Sequence, residues 1–180
     1  ITREANRIAA ITEHLLQITT LENMRSIPKP ERIDVAELLE QLCEDFAAQI
    51  AQKSVTAIVS AERELRLEGN YFLLYQAVAN LLQNALDFSP EKGAIEISAR
   101  REATQIIITV SDRGAGIPEF ARDKIFEKFY SLERPDTQHK STGLGLAFVK
   151  LVVELHGGSI AVAPRAGGGT VVTVKLNWPH

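Results

Sequence analysis

Three short stretches hold the residue types that could do chemistry. In SDRGAGI, Asp112 closes an apolar run, and Gly114 and Gly116 follow it at two-residue spacing. Glycines let a backbone turn through positive φ and approach a flat ligand closely. A carboxylate at such a strand end can accept a hydrogen bond from an exocyclic amine, and adenine carries one. Taken alone, the motif reads first as a glycine turn beside a solvated acid, because isolated glycine patterns carry little specificity. In TGLGLAFVK, Gly143 and Gly145 open an apolar helical pattern. The first backbone N–H groups of a helix have no internal partner, so that end attracts anions such as phosphate; a plain flexible loop is the alternative. No Lys-Ser/Thr follows the last glycine and no βαβ unit surrounds it, which excludes a Walker loop and a Rossmann fingerprint.

In NLLQNALDFSP, Asn80 and Asn84 stand four residues apart on one helical face. Beside Leu81, Leu82 and Ala85 the helix must be largely packed, and a packed amide needs a partner. A carboxamide oxygen facing a cleft is a hard ligand of the kind Mg²⁺ takes together with waters and phosphate oxygens. A nearby backbone group is the competing partner, more so for Asn80 than for Asn84.

The elements that must hold these residues are legible from periodicity. Ile8, Ile11, Leu15 and Ile18 form an apolar seam on one helix over residues 1 to about 25, which SIPKPERID then stops. That stretch reads as a linker, with a boundary near Pro28, dividing residues 1–27 from 28–180. Leu38, Leu39, Leu42, Phe46 and Ile50 predict a helix from Val35 to about Lys53, and VTAIVS a strand. A second helix starts at an Asn70 N-cap and ends at Pro90. AIEISARR and QIIITVSD predict a hairpin, residues 143–156 a helix stopped by Gly157 and Gly158, and SIAVAPR with TVVTVKLN a last hairpin across AGGG. Helices and mostly antiparallel strands in this order give an α+β fold, a two-layer α/β sandwich.

Composition sets the outer limits. The 180 residues can bury one good-sized core, and 45% hydrophobic with 24% charged residues is neither disordered nor fibrous. A net charge of -3 makes no case for nucleic acid as a partner. The single cysteine, Cys43, excludes an internal disulfide and fits a reducing, cytoplasmic setting. No run approaches a membrane span and no signal-peptide plan opens the chain, so this part is expected not to be membrane-embedded.

The order of the three motifs is more specific than any one of them. The chain resembles the catalytic ATP-binding part of sensor histidine kinases, in the ATPase superfamily shared with DNA gyrase B, Hsp90 and MutL. NLLQNALDFSP is similar to the family's N box, DRGAGI to its first glycine box, IFEKFY to its F box, TGLGLAFVK to its second glycine box, and GGGT at 167–170 to its terminal motif; residues 33–177 are covered. The resemblance implies a Bergerat-type ATP-binding fold preceded by the second helix of a dimerisation hairpin. It implies ATP and Mg²⁺ as cofactors, with Asn84 ligating the metal, Asp112 binding the adenine amine and Asn80 supporting the phosphate side. Gly114 and Gly116 would line the base pocket with Ile117, and Thr170 would lie near the base. Gly143, Leu144 and Gly145 would present amides to the triphosphate, flanked by Thr142 and Leu146, and residues 131–142 would form a lid. Tyr130, Lys128 and Lys140 complete the implied set. The implied partners are ATP, a response regulator receiver domain and a second copy of the full-length protein, which would be an inner-membrane sensor.

Two positions depart from the family pattern. Asp87 stands where a basic residue is common, and Ser131 follows Tyr130 where an Arg is common. Both remove positive charge from the implied phosphate side, leaving Lys128, Arg134 or Lys140 to supply it. The family's acceptor motif, His-Glu-x-x-Thr/Asn-Pro, does not occur, and His14, His139, His156 and His180 each lie in another context. The implied acceptor is therefore a histidine on a helix outside this chain, so this part alone is expected not to phosphorylate itself. Gyrase-type clamps carry a Glu base four residues before the metal Asn, where this chain has Asn80. A serine kinase acting on an anti-sigma partner would lack the first helix.

Overall fold

The computed structural model describes residues 2–133 and 141–178. Helix α1 (Thr2–Asn23) is followed by strand β1 (Glu31–Asp34), helices α2 (Val35–Asp45) and α3 (Ala47–Gln52), and strands β2 (Thr56–Ala61) and β3 (Arg66–Gly69). Helix α4 (Tyr71–Phe88), strands β4 (Ala94–Glu102) and β5 (Gln105–Ser111), a 3₁₀ turn (Glu119–Ala121), helix α5 (Gly145–Leu155) and strands β6 (Ser159–Pro164) and β7 (Thr170–Asn177) complete it. A five-stranded sheet in the order β2-β4-β5-β7-β6 is parallel only between β2 and β4. Alternation along its strands sends Ile95, Ile97, Ile106, Ile108, Val110, Val174 and Leu176 into one core with α2, α4 and α5. The opposite face carries small polar residues such as Ser98 and Thr109, whose hydroxyls lie 2.6 Å apart. These helices on one face of a mixed sheet are the expected two-layer α+β sandwich.

The expected helices form where their caps allow. Asp34 Oδ1 accepts from the N–H groups of Ala36 (3.0 Å) and Glu37 (3.4 Å), and Asn70 Oδ1 accepts from Leu73 N–H (2.9 Å). At the other end of α4, Lys53 Nζ donates to the Leu86 carbonyl and to that of Asp87 at 3.3 Å, placing a cation where the terminal carbonyls need donors. Three expectations are corrected. The helix expected from Val35 to Lys53 breaks at Phe46, whose φ of −92° and ψ of 0° separate α2 from α3. SIPKPERID is not linker throughout, because its end forms β1, which pairs antiparallel with β3 in a second, two-stranded sheet. The helix expected from 143 begins only at Gly145, since Gly143 has a φ of +69°.

The seam on α1 divides along its length. Ile18 (1% exposed) and Leu21 (5%) belong to the central core, where α1 meets α5, whereas Ile8 is 63% exposed. Among the described residues, no helix is long and apolar enough to cross a membrane.

Candidate nucleotide site

Helix α4 turns Leu81, Asn84, Ala85 and Phe88 to one side, the i, i+3, i+4, i+7 pattern of a single helical face. That face forms one wall of a cleft whose empty space, mouth included, is ≈ 830 Å³. The floor is sheet: Val110 and Val172 are register partners on β5 and β7 and both line it. Gly116, Ile117 and Ile125 close one side, and Tyr130, Ser131, Leu132, Ser141, Gly143, Gly145 and Leu146 the other. A slot with apolar walls and few polar groups suits a flat heterocycle.

Asp112 and Thr170 are the polar groups at the end of the floor. Asp112 N–H donates to the Thr170 carbonyl (3.0 Å), so β7 continues to pair with the chain just past β5. The Asp112 carboxylate accepts from Gly114 N–H at 2.8 Å. Burial raises the Asp112 carboxyl above the ordinary carboxylate value; backbone hydrogen bonds from Gly114 and Thr170 and the charge of Arg165 oppose that rise. A Cβ on Gly114 would strike the Phe88 carbonyl, so only glycine lets this loop lie against the end of α4. Gly116, at φ +80°, makes the turn itself.

At the opposite end, α5 begins at Gly145, which lines the cleft with Leu146. A Cβ on Gly145 would lie 2.9 Å from Asn80 Oδ1, so Asn80 abuts the start of α5. The Asn80 amide donates to its own helix at Gln76 O (2.9 Å). Phe129, in a left-handed conformation (φ +66°), donates its N–H to Gly143 O at 2.9 Å, tying the end of IFEKFY to the second glycine motif. Asn84 lines the cleft one turn on from Asn80, and no described residue hydrogen-bonds its carboxamide. Among the described residues no group of three or more His, Cys, Asp or Glu converges on a point, so a cation here would depend on one carboxamide oxygen and on its ligand's own oxygens. That donor set fits Mg²⁺ bound with a polyphosphate.

Of the residues singled out from sequence, the cleft brings together Asn84, Asp112, Gly116, Ile117, Tyr130, Gly143, Gly145, Leu146 and Thr170. Gly114 supports Asp112 from behind, and Leu144 is fully buried beneath the start of α5. Thr142 lies between the lining residues Ser141 and Gly143 without itself lining the cleft, and Lys128 pairs with Glu22 of α1. Lys140 and Arg134 lie outside the described residues. Asp87 faces away, into a groove between α3 and α4, where Gln83 Nε2 donates to it at 2.9 Å. It therefore takes no charge from the cleft. Sequence reasoning missed Leu81, Ala85 and Phe88, which the spacing from Asn84 could have found, and Val110 and Val172, which required the strand register.

Fold and site together define a nucleotide-binding α+β sandwich, and comparison with known proteins gives its family. Residues 69–180 match the family described as histidine kinase-, DNA gyrase B-, and HSP90-like ATPase, and the chain belongs to that family. It is 39% identical over 171 residues to the sensor protein CreC of Escherichia coli K12, covering 95% of this chain and 35% of CreC. It is 31% identical over 174 residues to the sensor-like histidine kinase SenX3 of Mycobacterium tuberculosis, covering 96% of this chain and 42% of SenX3. The chain thus spans well under half the length of these relatives. Among solved structures, the catalytic domain of the histidine kinase ThkA superposes with a TM-score of 0.75 at 26% identity, over 83% of this chain and 98% of that one. The mycobacterial sensor histidine kinase MprB gives 0.71 at 29%, over 83% and 99%.

Proposed function

We propose that this chain is the ATP-binding catalytic part of a sensor histidine kinase, which delivers the γ-phosphoryl of Mg-ATP to a histidine for relay to an aspartate on a response regulator. The observation that carries the reading is the polarity of the cleft: a buried carboxylate at one end, the start of a helix and a carboxamide that no described residue engages at the other, and an apolar slot between. Asp112 accepts from the adenine amine, and Gly116 and Ile117 lie against the base. Asn84 would hold Mg²⁺ through its carboxamide oxygen, and the ion would supply charge to offset that of the phosphates. The N–H groups at Gly143 and Gly145 face the phosphates.

The chemistry left to the protein is positioning. A neutral imidazole nitrogen attacks the γ-phosphorus in line, an N–P bond forms, the bond to the bridging oxygen breaks, and ADP leaves with the electron pair. His156 is unsuited to be that acceptor: it is half-buried, Nε2 accepts from Asn70 N–H (3.0 Å) and Nδ1 lies 2.7 Å from Val152 O. The acceptor is read as a histidine on a partner helix, which the exposed Ile8 and Leu16 of α1 would meet in a dimer of the full-length sensor. A hydrolytic clamp is disfavoured, because Asp112, at the base end, is the one carboxylate among the described cleft residues. Neither the sequence nor the cleft gives a reason to place nucleic acid here, and the catalytic part of such a sensor lies in the cytoplasm.

The test is transfer of label from ATP to a separately supplied helix carrying an acceptor histidine, with Mg²⁺ present. Label that is acid-labile and base-stable on that helix, and lost with Asn84→Ala, is the expected result. Release of inorganic phosphate without labelling would favour the hydrolytic reading.

A further inference from the structure

Behind Asp112 stands an ion pair between Arg165 and Glu96, neither of which belongs to a nucleotide motif. Arg165 opens the turn between β6 and β7: its N–H donates to Gly169 O (3.0 Å) and its carbonyl accepts from Gly168 N–H (3.1 Å). Its guanidinium reaches back under the sheet, with Nη2 2.6 Å from Glu96 Oε1 on β4 and Nη1 donating to the Asp112 carbonyl at 3.5 Å. The Arg165 side chain is 15% exposed, whereas that of Arg113, which reaches the same Glu96 oxygen at 3.9 Å, is 59% exposed. A guanidinium so far withdrawn from water is costly unless paired, so its two contacts define its position.

The turn it holds is itself pressed against Asp112. A Cβ on Gly169 would strike the Asp112 carbonyl, and the next residue, Thr170, takes the Asp112 N–H. Arg165 therefore joins three segments, β4 through Glu96, the end of β5 through Asp112, and its own turn. Among the described residues, the charged groups about Asp112 are Arg165 from the β6–β7 turn, Glu96 on β4, which engages Arg165, and Arg113, directed at Glu96. Helix α4 brings Leu81, Asn84, Ala85 and Phe88 to this cleft, none of them charged.

We infer that Arg165 is a positioning residue for base recognition, which locks the end of β5 to the β6–β7 turn and keeps a fixed cation beside the carboxylate that receives the base amine. The inference rests on reading Asp112 as the adenine acceptor. Burial favours the protonated acid at Asp112, and the Arg165 charge works against it. Without that charge the acid would hold its proton to higher pH, and binding that needs the carboxylate would fail earlier as pH falls.

The experiment follows the Asp112 carboxyl by ¹³C NMR titration and measures ADP affinity across the same pH range, for the parent, Arg165→Met, Arg165→Lys and Asp112→Asn. Arg165→Met is expected to move the Asp112 titration to higher pH and to weaken ADP at neutral pH by about tenfold. Arg165→Lys, with the charge but not the fork, should return the titration toward the parent and recover only part of the affinity. If Arg165→Met does not fold, Arg165→Gln, which keeps a hydrogen-bond donor but no charge, carries the same expectation for the titration. An unmoved Asp112 titration in the uncharged variants overturns the inference, even where ADP binding weakens, because that pattern is a structural role alone. ADP binding by Asp112→Asn equal to the parent would instead remove the adenine reading and this inference with it. A weakened Asp112→Asn beside an unmoved titration leaves the adenine reading standing and sinks only the role of Arg165.

Discussion

At the scale of single residues, function and stability pull against each other in Asp112. Its carboxyl is raised by burial, so the folded chain holds that proton more tightly than the unfolded chain does. The contribution to stability is therefore full below the unfolded value of 3.8 and declines as pH rises through the folded value. At neutral pH the ionised side chain burdens the nucleotide-free fold. Asp112→Asn should accordingly melt no lower than the parent at pH 7, while ADP affinity falls by about 1–3 kcal/mol and the preference for ATP over GTP disappears. Thermal melts with nucleotide titrations check both halves, and equal ATP and GTP affinities in the parent would deny the role. His156 behaves oppositely. Burial lowers it below 6.5, its Nε2 accepts from the N-cap backbone of α4, and protonation would remove that acceptor. Its contribution is present above pH 6.5 and is lost as pH falls through the folded value. The drop in melting temperature from pH 7 to pH 5 should thus be smaller in His156→Gln than in the parent. Asp112 was legible in sequence only through the order of the three motifs, because an acid ending an apolar strand before glycines is by itself also an ordinary solvated turn. The cap made by His156 was not, since its partner Asn70 lies 86 residues away.

At the scale of elements, glycine turns decide how closely segments approach, and the β6–β7 turn allows a controlled comparison. Gly167 (φ +85°) and Gly169 (φ +104°) both occupy backbone conformations that L side chains rarely adopt, but a Cβ on Gly167 meets open space and one on Gly169 meets Asp112. Gly167→Ala should cost only the conformational term, about 1–2 kcal/mol. Gly169→Ala should cost more and should also weaken ADP binding, because relief of the clash displaces Asp112. Urea midpoints and ADP titrations of the two variants separate strain from contact; equal losses of both kinds would argue against the clamp on Asp112. Long elements such as α4, β4 and β5 announced themselves by period and cap. The pair β1 and β3 did not: each is four residues long, one follows two prolines, and Ile33 and Leu67 are their only buried residues with large side chains. Four residues are too few to establish a period, and the pairing that stabilises them is remote in sequence. The polarity of the cleft was legible from motif order, whereas its floor, Val110 beside Val172, depended on a register that no single segment encodes.

At the scale of the whole molecule, the family match begins at residue 69, yet the core reaches back to Ile18. The seam of α1 is spent unevenly: Ile18 and Leu21 are buried where α1 meets α5, Ile11 and Leu15 are half-buried, and Ile8 and Leu16 face solvent. Glu22, at the end of the helix, pairs with Lys128 just before Phe129, the residue tied to Gly143 at the cleft. Both side chains of that pair are about 40% exposed (41% and 39%), so its Coulomb energy is small and the apolar contacts carry the attachment. Truncating a side chain that is 1% exposed removes its transfer free energy and leaves a cavity. Ile18→Ala is therefore expected to lower the stability of the whole chain by about 2–5 kcal/mol. Ile8→Ala, at an exposed site, should change it by less than about 0.5 kcal/mol. If α1 is integral to the core, melting followed by tryptophan fluorescence at Trp178 and by far-ultraviolet circular dichroism should coincide in the parent and shift together in Ile18→Ala. Both are measured at low protein concentration, so that association through Ile8 and Leu16 does not contribute. A parent in which α1 melts first, leaving a sheet whose midpoint Ile18→Ala does not move, would show instead that the helix is an independent arm.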